Sequence, residues 1–448
     1  MKGKLGRNVA RLLAAVLVLL AAGSATAAVK PRVVLVLPFD ASTLPPDEQW
    51  IGEGVAQIVR LGLAQHPAFI ELDPARLRAL GEHSAWGEAP VTQAARALKV
   101  DNAAFGQVVR AGGELVLRPR LLDVKANGTD VVNLEPVSVP DGELLNRMAA
   151  LPLAYARTLK VTPTDAEANR MDKAARPTRS LKALELYARS QATLRRGGQE
   201  SNESAADLLS RAIETDPSFA VAQYMLGTVH LSLGNRWKAA AQFRASTQLD
   251  PAYPEPYKAL GDLFLSAPRR LFDQAVEAYA KAIDLRPFYA EAHVGLGDAR
   301  AAKGDVDGAI TGYQKALTFD PVNPRVYLSL GKIYYAEKGL YYESVNAYRK
   351  AIDFDPRSVE ARMGLGEVYE DKGLYKEAIE EYRKVIDLDG KHTGAMYNLA
   401  VVYEKVDPRE AIAQWEKYIA LASGLPSEKD WVDIARQHLR KLKGQIKE

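Results

Sequence analysis

A proline that follows an aspartate returns through the second half of the chain at nearly constant spacing. Asp216-Pro217, Asp250-Pro251, Arg286-Pro287, Asp320-Pro321, Asp355-Pro356 and Asp389-Gly390 lie 34, 36, 34, 35 and 34 residues apart. A period in this range means stacked supersecondary units, each unable to bury its own apolar face alone. Few folds satisfy that constraint, and whatever precedes the array has to be accounted for separately.

Each unit carries the same skeleton. Leu226-Gly227, Leu260-Gly261, Leu296-Gly297, Leu330-Gly331, Leu365-Gly366 and Leu399-Ala400 fall in a first helix, with Phe264, Tyr334, Tyr369 and Tyr403 three residues further on. A second helix has Ala239, Ala275, Ala309, Ala378 and Ala411, followed four residues later by Phe243, Tyr279, Tyr313, Tyr382 and Trp415. Leu and the aromatics predict the seam between paired helices, and Gly or Ala at the crossing predicts close backbone approach. Gly234, Gly304 and Gly373 fit left-handed helix ends, and each proline stops a second helix. The pattern is that of the tetratricopeptide repeat, and the chain from about 184 to 424 resembles that family. Six regular units run from Val221 to Leu421, after a degenerate one built on Leu184, Tyr187, Ala205, Leu209 and Ala212. Ser266 to Arg270 adds two residues at a turn, and a one-residue insertion lies beside Tyr341 to Glu343. Residues 425–448 are expected to hold a capping helix that covers the last unit with Trp431, Ile434, Ala435, Leu439 and Leu442.

Residues 1–27 read as a cleavable signal peptide. Lys2, Lys4, Arg7 and Arg11 precede an apolar run from Leu12 to Ala22, and Ala25-Thr26-Ala27 supplies small residues for cleavage. That run is short for a membrane span, so membrane association is expected only through an uncleaved leader or a partner. With no cysteine in the chain, lipid attachment at a cleavage-site cysteine is closed, and stability has to come from packed cores. The formal charge of +3 falls to about −1 without the four leader cations, so nucleic acid is not an expected partner. The expected location is the bacterial periplasm.

Residues 28–161 predict an α/β domain. Arg32 to Phe39 is an apolar strand, Asp40 to Asp47 a turn-rich loop, and Trp50 to Gln65 a helix with Ile51, Val55, Ile58, Val59 and Leu63 on one face. Phe69 to Leu72 reads as a strand, Asp73-Pro74 as the start of a helical turn, and Val91 to Leu98 as a helix. Gly112-Gly113 marks a hairpin between strands at 103–109 and 114–124. A strand over 131–139 and an amphipathic helix over 144–159 complete a mixed sheet with helices. Leu37-Pro38-Phe39, the early Gly52 and the hairpin series Gly106, Val108, Arg110, Leu115, Leu117, Leu121 and Asp123 resemble the N-terminal domain family of periplasmic TolB-like proteins. That resemblance implies an envelope setting and no catalytic centre. Asp40 to Thr43 stands where the family has Asn-Leu-Ser. Gly106 and Gly128 are expected in a bulge and a turn, and Trp50 as a staple of its helix to the sheet. Proline-interrupted residues 162–183 read as a linker.

The concave face of the superhelix, lined by first helices, supplies the candidate peptide groove. By repeat position it holds Tyr224, Lys258, Asp262, Asp298, Lys332, Tyr335, Glu367, Glu370 and Tyr397, an acidic and aromatic set suited to an extended peptide with basic residues. In the carboxylate-clamp type of tetratricopeptide array, paired Lys and Asn hold a C-terminal carboxylate. Lys258 has Asp262 four residues on, so that clamp is not reproduced. His66, His83, His230, His293, His392 and His438 show no metal-ligand spacing, and no nucleophile elbow or phosphate loop is present, so no catalytic residue, metal or cofactor is expected. The expected function is an exported scaffold or adaptor for a protein or peptide partner in a cell-envelope complex. The alternative is a sensory module whose α/β domain recognises a small molecule or envelope component.

Overall fold

The computed structural model describes residues 31–71 and 86–445. The leader expected at 1–27 and the helical turn expected from Asp73-Pro74 lie outside them. Contacts divide the chain into two compact units, one ending at Phe219 and one beginning at Ala220.

The first unit is built on a mixed sheet of β1 (Arg32–Val36), β2 (Phe69–Glu71), β3 (Asn102–Ala111), β4 (Glu114–Lys125), β5 (Gly128–Asn133) and β6 (Val137–Val139). Strand order is β2-β1-β3-β4-β5, with β6 on β4. β1 runs parallel to both β2 and β3, and the rest is antiparallel. The single strand expected over 131–139 is two, divided around Pro136, which has no N–H to give the ladder. No bulge occurs at Gly106, which pairs in register with Pro119. A Cβ there would stand 2.6 Å from the Phe39 ring, so the glycine makes room for Phe39.

Helix α1 (Trp50–Leu63) follows β1, and α2 (Glu88–Ala97) precedes β3. A Cβ on Gly52 would lie 2.0 Å from the Phe39 carbonyl oxygen, so only glycine lets α1 start this close to the strand. The helix expected over 144–159 is α3 (Leu144–Ala149) and α4 (Leu151–Thr158), with Pro152 at the junction packed against Gly62 of α1. Tyr155 of α4 is fully buried, and its hydroxyl lies 2.9 Å from the Phe105 carbonyl and 3.1 Å from that of Arg120, tying helix to sheet.

The stretch read as linker contains α5 (Asp165–Ala174), opened by a capping box in which Thr164 and Glu167 satisfy each other's backbone N–H. The degenerate hairpin, α6 (Leu181–Arg196) and α7 (Gln199–Thr215), belongs to this unit too. The reason is visible on α1, where Glu53 and Gln57 are buried as fully as the apolar face. Gln57 Nε2 donates to Glu53 Oε1 at 2.7 Å, Arg195 of α6 forms an ion pair with Glu53, and the Tyr187 hydroxyl lies 3.4 Å from Gln57 Oε1. These polar residues are covered by the first hairpin, which brings the partners that burial demands.

The second unit is six helical hairpins and a final helix. The hairpins are α8 (Ala220–Ser232) with α9 (Arg236–Leu249), α10 (Pro254–Leu265) with α11 (Phe272–Leu285), and α12 (Ala290–Ala302) with α13 (Val306–Phe319). They continue with α14 (Pro324–Ala336) and α15 (Tyr341–Phe354), α16 (Val359–Asp371) and α17 (Tyr375–Leu388), then α18 (Thr393–Val406) and α19 (Pro408–Ala422). Each first helix packs on its own second helix and, from α10 onward, on the second helix before it. The recurring aspartate does more than precede a proline. Asp216, Asp250, Asp320, Asp355 and Asp389 each accept, through a side-chain oxygen, the N–H two residues on, at 3.0 to 3.4 Å. This turn carries the chain from one unit into the next.

At these crossings the glycine makes room for an aromatic ring, and at Gly227 and Gly297 the facing backbone is close as well, with the carbonyls of Ala239 and Ala309 3.2 Å from where a Cβ would stand. A Cβ on Gly227 would lie 2.5 Å from Phe243, on Gly261 2.7 Å from Tyr279, on Gly297 2.7 Å from Tyr313, on Gly331 2.7 Å from Tyr348 and on Gly366 2.6 Å from Tyr382. The final helix α20 (Lys429–Gln445) buries Val432, Ala435 and Leu442, with Leu439 partly covered. Trp431 and Ile434, expected in that buried face, are exposed, because the helix turns its Val432–Ala435 edge to the array. Among the described residues no helix is long and apolar enough to cross a membrane.

Replacing Gly366 by Val should therefore force the Tyr382 ring off its seat and cost about 1–3 kcal/mol. Urea unfolding of Gly366→Val beside Gly444→Ala, where a Cβ meets nothing within 4 Å, would check this. Equal stability of the two variants would mean that the ring has room to move.

Candidate functional site

The candidate groove residues are first-helix positions, and the structure sorts them into three groups. Asp262 and Asp298 follow the glycine on which a tyrosine ring sits, which puts their carboxylates at the tip of that ring. The Tyr279 hydroxyl donates to Asp262 Oδ1 at 2.7 Å and that of Tyr313 to Asp298 Oδ1 at 2.6 Å. Their other oxygens are also engaged, Asp262 Oδ2 by Lys258 Nζ at 2.8 Å and Asp298 Oδ2 by Arg325. Burial first, and then the adjoining carboxylate, raises both phenols well above the tyrosine range, so they stay protonated and donate.

Tyr335, Glu367 and Glu370 form the second group. Tyr335 of α14 donates its hydroxyl to Asp371 of α16, and Tyr382 donates to Glu370 Oε2 at 2.8 Å. Glu367 and Asp371 are exposed and Glu370 is half-buried. Desolvation by the surrounding protein raises the pKa of Glu367, and Glu370 and Asp371 raise it further, against a smaller opposing effect of Lys332. Burial likewise raises Glu370, which the Tyr382 hydrogen bond partly offsets and Asp371 reinforces. Lys332 is itself held by Glu360 at 3.2 Å. The ammonium of Lys372 sits 3.1 Å from the centroid of Tyr341, whose ring is 6.0 Å from that of Tyr335. Here carboxylates outnumber their cations, whereas Asp262 and Asp298 are already compensated.

Tyr224 and Tyr397 form the third group, and both are set among other aromatic rings. Tyr224 packs on Phe243 and Tyr253 at 5.8 and 5.6 Å between ring centroids. Tyr397 lies edge-on to Trp415, Tyr418 and Trp431 at 5.0 to 5.5 Å, an aromatic cluster with the final helix. Asp371 and Arg325 were missed. Asp371 stands four residues after Glu367, so helical spacing alone places it on the same face. Arg325 reaches Asp298 from the next hairpin, which spacing within one unit does not show. Among the described residues, no group of three or more His, Asp or Glu is placed to hold a metal ion.

Family models described as TPR repeat or tetratricopeptide repeat match residues 191–254, 297–337, 335–373 and 359–392. These stretches of the chain are tetratricopeptide repeats. Repeats of this kind bind and organise partners and carry no catalytic centre. Among curated protein sequences none matches the chain. Among solved structures the chain is similar to MamA, at 27% identity over 37% of this chain and 95% of that one, with a TM-score of 0.33. YrrB, described as a TPR protein with an unusual peptide-binding site, is 23% identical over 45% of this chain and 99% of that one, with a TM-score of 0.38. PilW, described as a type IV pilus biogenesis factor, is 16% identical over 46% and 94%, with a TM-score of 0.42.

The raised pKa of Glu367 has a consequence for stability. A carboxyl that binds its proton more tightly when folded contributes fully below its unfolded value near 4.5, and that contribution is lost as pH rises through the higher folded value. At pH 7 the charged group therefore works against the fold. Glu367→Gln should raise the melting temperature at pH 7, with the gain shrinking as the pH approaches 4. Thermal melts across that range would check it, and a gain that persists in acid would remove the charge explanation.

Proposed function

We propose that the protein is an exported scaffold whose tetratricopeptide array holds an extended, basic segment of a protein partner in the cell envelope. The observation that carries this reading is the uncompensated acidic patch of Glu367, Glu370 and Asp371 beside Tyr335 and Tyr341. Carboxylates crowded on one helix face attract a lysine or arginine, and adjoining rings accept its alkyl stem and its charge. Lys258–Asp262 and Arg325–Asp298 lack that surplus, so they position the partner's backbone and neutral side chains. Tyr224 and Tyr397 lie outside the acidic patch and contribute packing.

Support for the envelope setting comes from the basic and apolar pattern of residues 1–27 and from the TolB-like features at Leu37-Pro38-Phe39, Gly52, Gly106 and Asp123. In this reading residues 28–161 and the 162–183 segment deliver and anchor an array running over 184–424, and α20 closes it.

Fluorescence anisotropy with labelled peptides of one length and differing charge tests the groove. Lysine- or arginine-bearing peptides should bind, weakening with added salt, and Tyr335→Ala with Glu367→Lys should reduce their affinity about tenfold or more. Equal binding of acidic and basic peptides, or indifference to the double change, would sink the assignment. Export has its own check: the protein released from a bacterial periplasm should begin at Ala28 by N-terminal sequencing, and retention of Met1 would overturn a cleaved leader.

A further inference from the structure

A second recess lies in the first unit, remote in sequence from the groove residues. It has a volume of about 1080 Å³, at the upper end of the roughly 300–1,000 Å³ typical of small-molecule sites. One wall is the loop that leaves β1, from Pro38 through Ser42 and on to Gln49 and Trp50. The other wall is helix α6. The recess lies beyond the carboxyl end of β1, between the loop that follows it and the first helical hairpin.

The chemistry of its walls is specific. Trp50 and Trp86 are both half-buried and contribute indole surface. Asp40 uses one carboxylate oxygen to accept the Ser42 N–H at 3.0 Å. Two of the three lining arginines are committed to protein partners. Arg195 pairs with buried Glu53, and Arg189 bonds Glu185 at 2.8 Å and the Asp47 carbonyl at 3.1 Å. Arg196 differs: among the described residues it forms no ion pair, and its guanidinium is only 3.5 Å from the Thr193 hydroxyl. The recess therefore offers flat aromatic surface, a carboxylate acceptor and one uncommitted guanidinium.

The geometry points to an acidic saccharide as the occupant of this recess, a sugar bearing one carboxylate or phosphate. The C–H face of a pyranose ring is apolar and lies against indole, its hydroxyl rim donates to Asp40, and its acid group takes the planar fork of Arg196. A neutral sugar leaves Arg196 unused, and an aromatic acid leaves Asp40 facing a group with no hydroxyl to donate. Because both walls contribute, the ligand also fastens α6 to the β1–α1 loop.

Titration calorimetry and tryptophan fluorescence on the full chain test this with three probes. These are a glucuronate-containing disaccharide, its neutral glucose counterpart and indole-3-acetate. The acidic disaccharide should bind saturably and perturb the fluorescence, with the neutral sugar and the aromatic acid at least about tenfold weaker. Arg196→Gln, an exposed position, should abolish the preference for acid over neutral sugar, while Arg211→Gln on α7 should leave it intact. Trp50→Leu should weaken both sugars together. Absence of saturable binding, equal binding of acidic and neutral sugars, preference for the aromatic acid, or an Arg196→Gln chain that still prefers the acid would each overturn the assignment. Peptide binding by the Glu367 variants is read independently, so failure here leaves the groove reading standing.

Discussion

The array depends on an aromatic ring laid against a glycine. In five successive hairpins the second helix sends one large ring beneath its first helix, and the missing Cβ lets the ring lie flat. Where the ring is Tyr279, Tyr313 or Tyr382, the hydroxyl emerges beside a first-helix carboxylate and donates to it. One contact thus fixes the helix crossing, fills the core and orients an acid on the first-helix surface. In the last hairpin Trp415 replaces tyrosine and its indole N–H reaches Glu404 at 2.7 Å, so the device survives a change of ring. A buried hydroxyl without that acceptor would be costly, which explains why an acidic surface accompanies a tyrosine core.

This coupling governs what the acids are free to do. Asp262 and Asp298 belong to the frame as much as to any partner, because both of their oxygens are engaged. Negative charge left over gathers on α16, where Glu367, Glu370 and Asp371 share one helix face. In the proposed reading recognition by charge is local, and the remainder of the face supplies shape.

Much of the repeat was legible because the sequence repeats its own constraints: the Leu-Gly pair, the ring four residues after Ala, and the Asp-Pro pair recur together. The mechanism was less legible. Glycine opposite a ring and glycine opposite a backbone leave the same trace, and Asp before Pro hides its turn-forming role behind the proline. The burial of Glu53 and Gln57 was not legible, since nothing in their spacing reveals that Tyr187 and Arg195, more than 120 residues on, cover them. The Thr164–Glu167 capping box was readable, but proline and polarity nearby suggested a linker. Charge compensation at Asp298 escaped because Arg325 comes from the following hairpin.

The rings also have a second neighbour. Tyr279 is held between Gly261 and, from the next unit, Gly295, where a Cβ would come within 2.2 Å of it; Tyr348 is held in the same way between Gly331 and Gly364. At Tyr382 the corresponding position is Asn398, whose amide lies 3.4 Å from the hydroxyl, and at Tyr313 it is Ser329. Joints that clasp a ring between two glycines thus alternate with joints that touch it through a polar side chain. A solenoid with unequal joints does not loosen evenly along its length.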